Sequence, residues 1–371
     1  MEIKHFFEQV ISNFELSNLI FLGVLGSVII FFFLYSWKNN FFFKKIATTY
    51  HGEQRVHQGE IPRLGGLMIY LSLVTFYLLI DEHNNEKYLN LLFLITPFML
   101  ISFVEDISNN ISFSIRLAFM AFTALIINIY WVADFPVVEN IIFISYLLEF
   151  HWFTIIFFSF AMVGIMNGAN FIDGMNGLAA LFFLGALCAC VNLSFVANDA
   201  QAFLMLIPLI VLVIIFLFFN FPLGKLFLGD SGAYLLAILL STWLIDFFSR
   251  HTEISSWNAV LIFIYPLIEV VYSVIRKSFL GKSPFYPDRH HIHIKIYDII
   301  LHGTKKPLYS NNVTTLFLAI FWLSPALMIQ FVYSSQLGIT ACIIIITFIY
   351  IVLNLCTPSM KNLYSDNNKK T

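Results

Sequence analysis

Four carboxylates stand at the ends of long apolar runs, where a charged side chain is costly unless it has a binding partner. Glu105 and Asp106 end one apolar run, Asp173 lies in the polar stretch 167–177, and Asp230 begins another run. Such oxygen ligands suit Mg²⁺, which takes one or two protein oxygens and completes its shell with water and phosphate. Adjacent carboxylates can also be a solvated helix cap, so the acids alone leave both interpretations open.

The densest polar stretch is Asn167 to Gly177, which reads NGANFIDGMNG between two apolar runs. Alone, it is compatible with a Gly- and Asn-rich turn between two helices. A second motif, Gly-Asp-Ser-Gly around Asp230, is weak evidence alone because Gly-Asp turns are common. Its glycines would let the backbone approach a phosphate and would place Asp230 at the start of a helix. Together, the two motifs predict a site for a metal-bound phosphate.

A basic, histidine-rich segment supplies the opposite charge. It reads SPFYPDRHHIH and carries Arg289, His291 and His293 at alternating positions. Zinc binding is one interpretation, but no thiolate or further histidine lies nearby at ligand spacing. A solvated basic loop is another. The segment together with His57 and Arg63, from an earlier polar loop, favours binding of a phosphate.

Apolar segments must position these residues. The 371 residues are 59% hydrophobic and only 11% charged, and a soluble domain carries about twice that charged fraction. The sequence therefore predicts one all-α integral membrane domain over residues 1–371, with about eleven transmembrane helices. The expected spans are 17–37, 64–80, 89–104, 113–133, 152–167, 177–196, 202–219, 232–249, 257–275, 313–333 and 338–356.

Positive charge predicts the orientation of these spans. Eleven spans place 17 of the 20 Lys and Arg residues on one side, and positive charge marks the cytoplasmic side. The N-terminus is then periplasmic, the C-terminus is cytoplasmic, and every polar motif faces the cytoplasm. Residues 276–312 would form a cytoplasmic arm. The segment 134–151, which contains a proline and three acids, is interpreted as an extramembrane hairpin or an interfacial piece.

A secondary transporter or flippase for a phosphorylated solute is the alternative from another functional class. Transporters place charged residues near the middle of the membrane and often contain inverted repeats. Here the charged motifs cluster on one face, and the sequence contains no visible repeat. The pattern favours an enzyme that joins a water-soluble polyanion to a lipid-borne acceptor.

The motifs resemble those of the polyprenyl-phosphate N-acetylhexosamine-1-phosphate transferases of glycosyltransferase family 4. The similarity runs from His57 to His293 in the family's order, through HxGxxPRxGG, NxxNxxDGxNG, FxGDxG and SPFxPDRxHxH. The last motif looks closer to the branch that initiates O-antigen synthesis than to phospho-N-acetylmuramoyl-pentapeptide transferase. The resemblance implies Mg²⁺-dependent transfer, with Mn²⁺ able to substitute, of a sugar 1-phosphate from a UDP-N-acetylhexosamine to undecaprenyl phosphate. UMP would be released, and the enzyme would be a multi-pass protein of the bacterial inner membrane.

Residue roles follow from the resemblance, position by position. Asp230 would be a metal ligand, with Asn170 as its partner. Asp106 matches the second acid of the family's Asp-Asp pair, which acts as a base or positions the acceptor. Glu105 stands in place of the first acid, and Asp173 would lie near the metal or the nucleoside. The implied catalytic residues are thus Glu105, Asp106, Asp173 and Asp230.

The resemblance also implies a set of substrate-binding residues. Phe227 would stack on uracil, Asn176 would lie near the metal or the nucleoside, and the histidines with Arg289 would hold the pyrophosphate. The full set is His57, Arg63, Asn176, Phe227, Arg289, His291 and His293. Membrane lipids and a homodimer partner are compatible with the span surfaces, and no nucleic acid is expected. The sugar is not fixed by these motifs, and its discriminating contacts are expected around 294–312.

Overall fold

The computed structural model describes residues 6, 16–39, 61–79, 85–281, 283 and 289–357. The secondary structure within these ranges is entirely helical, as predicted. In chain order the helices are α1 (Leu16–Asn39), α2 (Gly65–Leu79), α3 (Asn85–Ser108), α4 (Phe113–Tyr130), α5 (Ile142–Leu147), α6 (His151–Ile172), α7 (Leu178–Val196), α8 (Ala200–Asn220), α9 (Gly229–Arg250), α10 (Asn258–Ile262), α11 (Ile264–Phe279), α12 (Ile292–Thr304), α13 (Pro307–Phe317), α14 (Ala319–Trp322), α15 (Ser324–Val332) and α16 (Gln336–Cys356).

The helices match the eleven expected apolar segments, although three segments differ from a simple span. Among the described residues, eight helices are long and apolar enough to cross a membrane, and a ninth span would combine α13 with α14 and α15 across a 42° bend. The helix α2 is apolar but has only 15 residues, and the segment 257–275 divides at Phe263 into α10 and α11. The multi-pass architecture follows, while the count of eleven and the orientation stay predictions.

The helix α9 lies at the centre of the bundle. Between its charged ends it is mostly apolar and almost wholly buried, as expected for a helix with neighbours on every side. It packs against α2, α3 and α6. Its axis therefore connects the polar motif at its N-terminus, Gly229–Gly232, with a second charged region at its C-terminus.

Glycines bring the first polar motif onto the start of α9. A Cβ atom added at Gly66 would lie 2.1 Å from the backbone nitrogen of Gly232, so α2 and α9 touch at this point. The backbone N–H of Gly65 donates to the carbonyl of Phe227 at 3.0 Å, and that of Gly66 to the carbonyl of Leu228 at 2.9 Å. The glycine pair therefore anchors the loop before Asp230 against α2.

The ambiguous segment 134–151 does not form a helix of span length. Its one helix, α5, has six residues, and Ile142 at its start is 88% exposed. Backbone carbonyls before α5 accept hydrogen bonds from the loop after α9: Ser256 Oγ donates to Val137 at 2.7 Å, and Trp257 Nε1 donates to Glu139 at 3.1 Å. This placement agrees with a piece that lies beside the spans.

Candidate active site

Asp106 joins the end of α3 to the start of α9. Its Oδ1 accepts the backbone N–H of Asp230 at 2.7 Å. Its Oδ2 accepts from the backbone N–H of Ser231 at 3.0 Å and from the Ser231 hydroxyl at 2.5 Å. The side chain is only 6% exposed, and it satisfies N–H groups that the first turn of a helix otherwise leaves unpaired. Asp106 therefore caps α9, a role that the sequence did not predict; its expected role as a base or acceptor-positioning group stays a prediction.

Gly229 makes this approach possible. Its backbone has φ +77°, and an added Cβ atom would lie 2.7 Å from Asp106 Oδ2. Only glycine combines this left-handed conformation with the absence of a side chain. The first glycine of the Gly-Asp-Ser-Gly motif therefore leaves the space that the Asp106 carboxylate needs to cap α9.

Asp230, at the second position of α9, contacts residues from two other helices. Its carboxylate forms an ion pair with Arg116 from α4. The Asn170 Nδ2 atom from α6 lies 3.5 Å from Asp230 Oδ2 and donates to the Tyr234 hydroxyl at 2.9 Å. The predicted metal pair of Asp230 and Asn170 is therefore adjacent in space, although 60 residues separate the two in sequence.

Glu105 lies on the other side of Arg116. Its Oε1 atom is 3.6 Å from Arg116 Nη1, and its Oε2 accepts the backbone N–H of Ile111 at 2.7 Å. Arg116 thus lies between two of the four predicted acids. From the sequence, Arg116 was interpreted only as one of the positive charges that mark the cytoplasmic side. Nothing in the sequence indicated its ion pair with Asp230.

Asp173 follows the last residue of α6 and faces the backbone N–H of Gly229. Burial raises the pKa of this carboxyl well above its usual range, Arg63 partly offsets the shift, and the nearby carboxylates of Asp230 and Asp106 raise it further. The polar stretch 167–177, the loop before α2 and the start of α9 therefore meet at one place. The carboxyls outnumber the arginines there, which favours a bound cation.

The donor atoms at this place fit Mg²⁺ in chemical type. The described residues contain no group of three or more His, Cys, Asp or Glu side chains that could hold a metal ion. Mg²⁺ needs fewer protein ligands, and the carboxylate of Asp230 with the amide oxygen of Asn170 would supply one or two hard donors.

The predicted histidines lie together on a buried carboxylate. The Nδ1 atom of His291 is 2.8 Å from Glu269 Oε2, and that of His293 is 3.9 Å from Glu269 Oε1. The two imidazole rings stack with centroids 5.6 Å apart. Burial lowers the pKa of His293 to about 4, with Glu269 opposing the shift and His291 adding to it. His293 is therefore a neutral imidazole at pH 7.

The same two rings contact the polar stretch 167–177. The ring centroids of His291 and Phe171 lie 5.2 Å apart. A Cβ atom added at Gly174 would lie 2.6 Å from His293 Nε2. The histidine segment and the acidic cluster thus approach this stretch from different sides.

The remaining predicted residues are more dispersed. Arg289 pairs with Asp298 of α12 at 2.9 Å. Phe227 is half-buried, and its backbone N–H donates to Pro62 at 2.9 Å. Arg63 lies just before α2 and its charge acts on Asp173. His57 lies outside the described residues.

Asn176 is fully buried in a separate amide network. Its backbone N–H donates to Asn311 Oδ1 at 2.7 Å, and its carbonyl accepts from the Thr315 hydroxyl at 2.7 Å, both on α13. The neighbouring Gly177 N–H donates to Asn220 Oδ1 at 2.6 Å. The structure therefore groups Asn176 with α13, whereas its expected role near the metal or nucleoside stays a prediction.

Comparison with known proteins finds similarity to transferases. Residues 88–248 match the model of glycosyl transferase family 4. The chain is 29% identical over 269 residues to an undecaprenyl-phosphate alpha-N-acetylglucosaminyl 1-phosphate transferase of Thermotoga maritima, covering 72% of this chain and 79% of that protein.

Two further relatives are also named as transferases. A probable undecaprenyl-phosphate N-acetylglucosaminyl 1-phosphate transferase of Bacillus subtilis is 25% identical, over 66% of this chain and 67% of the relative. A phospho-N-acetylmuramoyl-pentapeptide-transferase of Staphylococcus carnosus is 26% identical, over 63% of this chain and 76% of the relative.

Proposed function

We propose that this protein, whose residues 88–248 match the model of glycosyl transferase family 4, transfers an N-acetylhexosamine 1-phosphate from a UDP-sugar to undecaprenyl phosphate, releasing UMP. The observation that carries the proposal is the meeting of Asp230, Asn170 and Asp173 at the start of α9, within the matched region. The two relatives named for N-acetylglucosaminyl transfer favour UDP-N-acetylglucosamine as the donor. The product would initiate a cell-surface glycan such as O-antigen or capsule, at the cytoplasmic face of a bacterial inner membrane.

Mg²⁺ is the proposed cofactor, held by Asp230 and Asn170. When bound, it would neutralise charge on the diphosphate of the donor. The chain itself orients the ligand carboxylate: the ion pair with Arg116 and the Asp106 cap fix the first turn of α9. Because this turn is tied to α2, α3 and α4, its position depends little on loop conformation.

The chemistry needs little activation of the acceptor. The phosphate of undecaprenyl phosphate is ionised at pH 7, so its oxygen can attack the sugar-bearing phosphorus directly while the bond to the UMP oxygen breaks. Positioning and charge neutralisation then supply most of the rate enhancement. We therefore propose direct, in-line attack, with no covalent intermediate on Asp106, whose carboxylate oxygens already accept three hydrogen bonds.

The test is UMP release by the purified protein in detergent with undecaprenyl phosphate and a panel of UDP-sugars. The panel includes UDP-N-acetylglucosamine, UDP-N-acetylgalactosamine and UDP-N-acetylmuramoyl-pentapeptide, because the relatives include both branches. We expect release with one N-acetylhexosamine donor, only when a divalent cation is present. Release with none of the donors would overturn the proposal, and it is also the result expected of a transporter.

A matched pair of variants tests the metal assignment. Asp230→Ala should abolish UMP release while Mg²⁺ is present, because the ligand carboxylate is lost. Asp134→Ala removes an exposed acid from the loop after α4 and should leave the rate unchanged. Normal activity of Asp230→Ala would contradict its role as a ligand.

A further inference from the structure

The turn between α6 and α7, residues 173–177, carries Asp173 beside the acidic cluster. The end of this turn, Asn176 and Gly177, is buried, and buried backbone N–H and carbonyl groups need hydrogen-bond partners. Three of these groups pair with side chains from other parts of the chain: the N–H and the carbonyl of Asn176, and the N–H of Gly177. The conformation of the turn therefore depends on residues that are distant in sequence.

The helix α13 supplies two of these partners. Asn311 Oδ1 accepts the N–H of Asn176 at 2.7 Å, and the Thr315 hydroxyl donates to the carbonyl of the same residue at 2.7 Å. Asn311 and Thr315 are four residues apart, so they lie on one face of α13. Their side chains are 1% and 0% exposed. Because they are buried, they act on the backbone of the turn and not on a substrate.

The loop before α9 supplies the third partner, and the same helix contacts this loop. Asn220 Oδ1 accepts the N–H of Gly177 at 2.6 Å. Asn312 Nδ2, on α13, donates to the carbonyl of Pro222 at 2.9 Å. The loop continues to Asp230 at the start of α9. The helix α13 is therefore hydrogen-bonded both to the turn and to the loop that leads to the proposed metal ligand.

The preceding helix contacts the other end of the turn. The helices α12 and α13 pack together, and the hydroxyls of Thr304 and Ser310 connect them at 2.8 Å. His293 Nε2, on α12, lies against Gly174. One pair of helices thus contacts the turn at both of its ends. This pair follows residues 88–248, so the family match gives no role to it.

We propose that Asn311 and Thr315 are positioning residues of the candidate active site: they hold the backbone of the turn 173–177 so that Asp173 stays beside Asp230. The role rests on the proposed function, because it concerns the acids that would bind the metal and the donor. Each of the two side chains satisfies one buried backbone group. When either is lost, the turn must shift to find another partner, and a displaced acid slows the transfer.

The main experiment removes one hydroxyl and keeps the shape of the side chain. Thr315→Val is isosteric with wild type but leaves the carbonyl of Asn176 without its donor. We expect the rate of UMP release per folded molecule to fall about tenfold, because the turn is displaced. Thr315→Ser keeps the hydroxyl, and its rate should stay within about twofold of wild type. A Thr315→Val variant as active as wild type, or a Thr315→Ser variant as slow as Thr315→Val, would overturn the proposal.

The neighbouring residue provides a matched control. Thr314 is equally buried, but its hydroxyl donates to the carbonyl of Ser310 within α13 at 2.8 Å. Thr314→Val therefore removes the same kind of hydroxyl without freeing a group of the turn, and it should release UMP at the rate of wild type. Equal losses in Thr314→Val and Thr315→Val would overturn the proposal, because they would indicate a general loosening of α13.

Hydrogen–deuterium exchange tests the hold on the turn without relying on catalysis. In the full-length protein in detergent, the peptide that covers residues 174–178 should exchange about tenfold faster in Thr315→Val than in wild type. Asn311→Leu removes the acceptor of the Asn176 N–H and should also speed exchange in this peptide. Thr314→Val should exchange like wild type. Unchanged exchange in both Thr315→Val and Asn311→Leu would overturn the proposal.

The outcomes separate this inference from the proposed function. Wild type that releases UMP, combined with a Thr315→Val variant that matches it in rate and exchange, overturns only the role of the two residues. Wild type that releases no UMP with any donor overturns the proposed function, and with it the positioning role that rests on it.

Discussion

The two ends of α9 carry charged clusters of similar size but different balance. At its N-terminus, Asp230 lies with three other acids, Glu105, Asp106 and Asp173, and their charged partners among the described contacts are Arg116 and Arg63. At its C-terminus, acidic and basic side chains are present in nearly equal numbers, and each acid there has a basic partner. An excess of carboxylates predicts a site that binds a cation, whereas a balanced cluster predicts a structural role.

The C-terminal cluster shows what the balanced arrangement looks like. Arg250 pairs with Asp199, which caps α8, and with Asp246 at 2.9 Å. Lys87 of α3 lies 3.2 Å from the other oxygen of Asp246. His251 donates to Asp199 at 3.0 Å. These pairs join α3, α8 and α9 and leave no carboxylate of Asp199 or Asp246 without a positive partner.

The largest expected difference between the two ends concerns catalysis. Asp230→Asn should lower the rate of UMP release by about a thousandfold or more, the size expected when a group that stabilises the transition-state charge is lost. Its melting temperature should stay within a few degrees of wild type, because the substitution relieves repulsion among the acids. Measured rate and thermal unfolding in detergent test this contrast. A large loss of stability with unchanged rate per folded molecule would instead make the N-terminal cluster structural.

Asp106→Asn should lower both the rate of UMP release and the stability of the fold. The amide can accept from α9 with one oxygen only, so at least one of the three hydrogen bonds is lost. We expect the free energy of unfolding to fall by about 2 kcal/mol, as for a buried hydrogen bond to a charged group. The rate should fall because the first turn of α9 carries Asp230. Chemical unfolding and UMP release measure the two effects, and a variant that is fully active and as stable as wild type would contradict the capping role.

Arg250→Gln should affect stability alone. The side chain is 42% exposed, so solvent screening limits its two ion pairs to about 1 kcal/mol together. The rate per folded molecule should equal that of wild type, because the cluster is at the opposite end of α9 from the acids. A clear loss of rate without loss of stability would remove the distinction between the two ends.

The smallest expected effect depends on pH. The hydrogen bond to Asp199 raises the pKa of His251, burial opposes the shift, and Glu253 adds to it. A raised pKa in the folded state means that the imidazolium contributes stability in full below about pH 6.5, its unfolded pKa, and loses it as the pH rises through the folded value. His251→Gln should therefore lower the melting temperature at about pH 6 and have little effect at about pH 9. An equal decrease at both pH values would show that only packing is lost.

Much of the fold could be predicted because hydropathy is a local property. Each expected apolar segment corresponds to one, two or three helices, and the non-spanning piece at 134–151 contains only the short α5 before α6 begins. The division of 257–275 at Phe263 was not predicted, although Pro266, three residues after the break, was a local signal for it.

Some contacts of the candidate site could be predicted from the motifs, and others could not. Asp230 and Asn170 were expected to be partners and are adjacent, and Asp173 lies beside them. Glu269 was missed, although a lone carboxylate within an apolar segment is itself a signal of function. Arg116 was counted only as a charge, since nothing local indicates which acid it contacts.

The sequence by itself determined the helical membrane class and the identity of the polar motifs, because residue type and spacing along one segment are sufficient for both. The tertiary structure decided which motif residues act on each other. Asp106 reaches the backbone of Asp230 across 124 residues, and His291 reaches Glu269 across 22. These contacts depend on how the helices pack, on close approaches such as Gly66 with Gly232, and on the cost of leaving a buried charge unpaired.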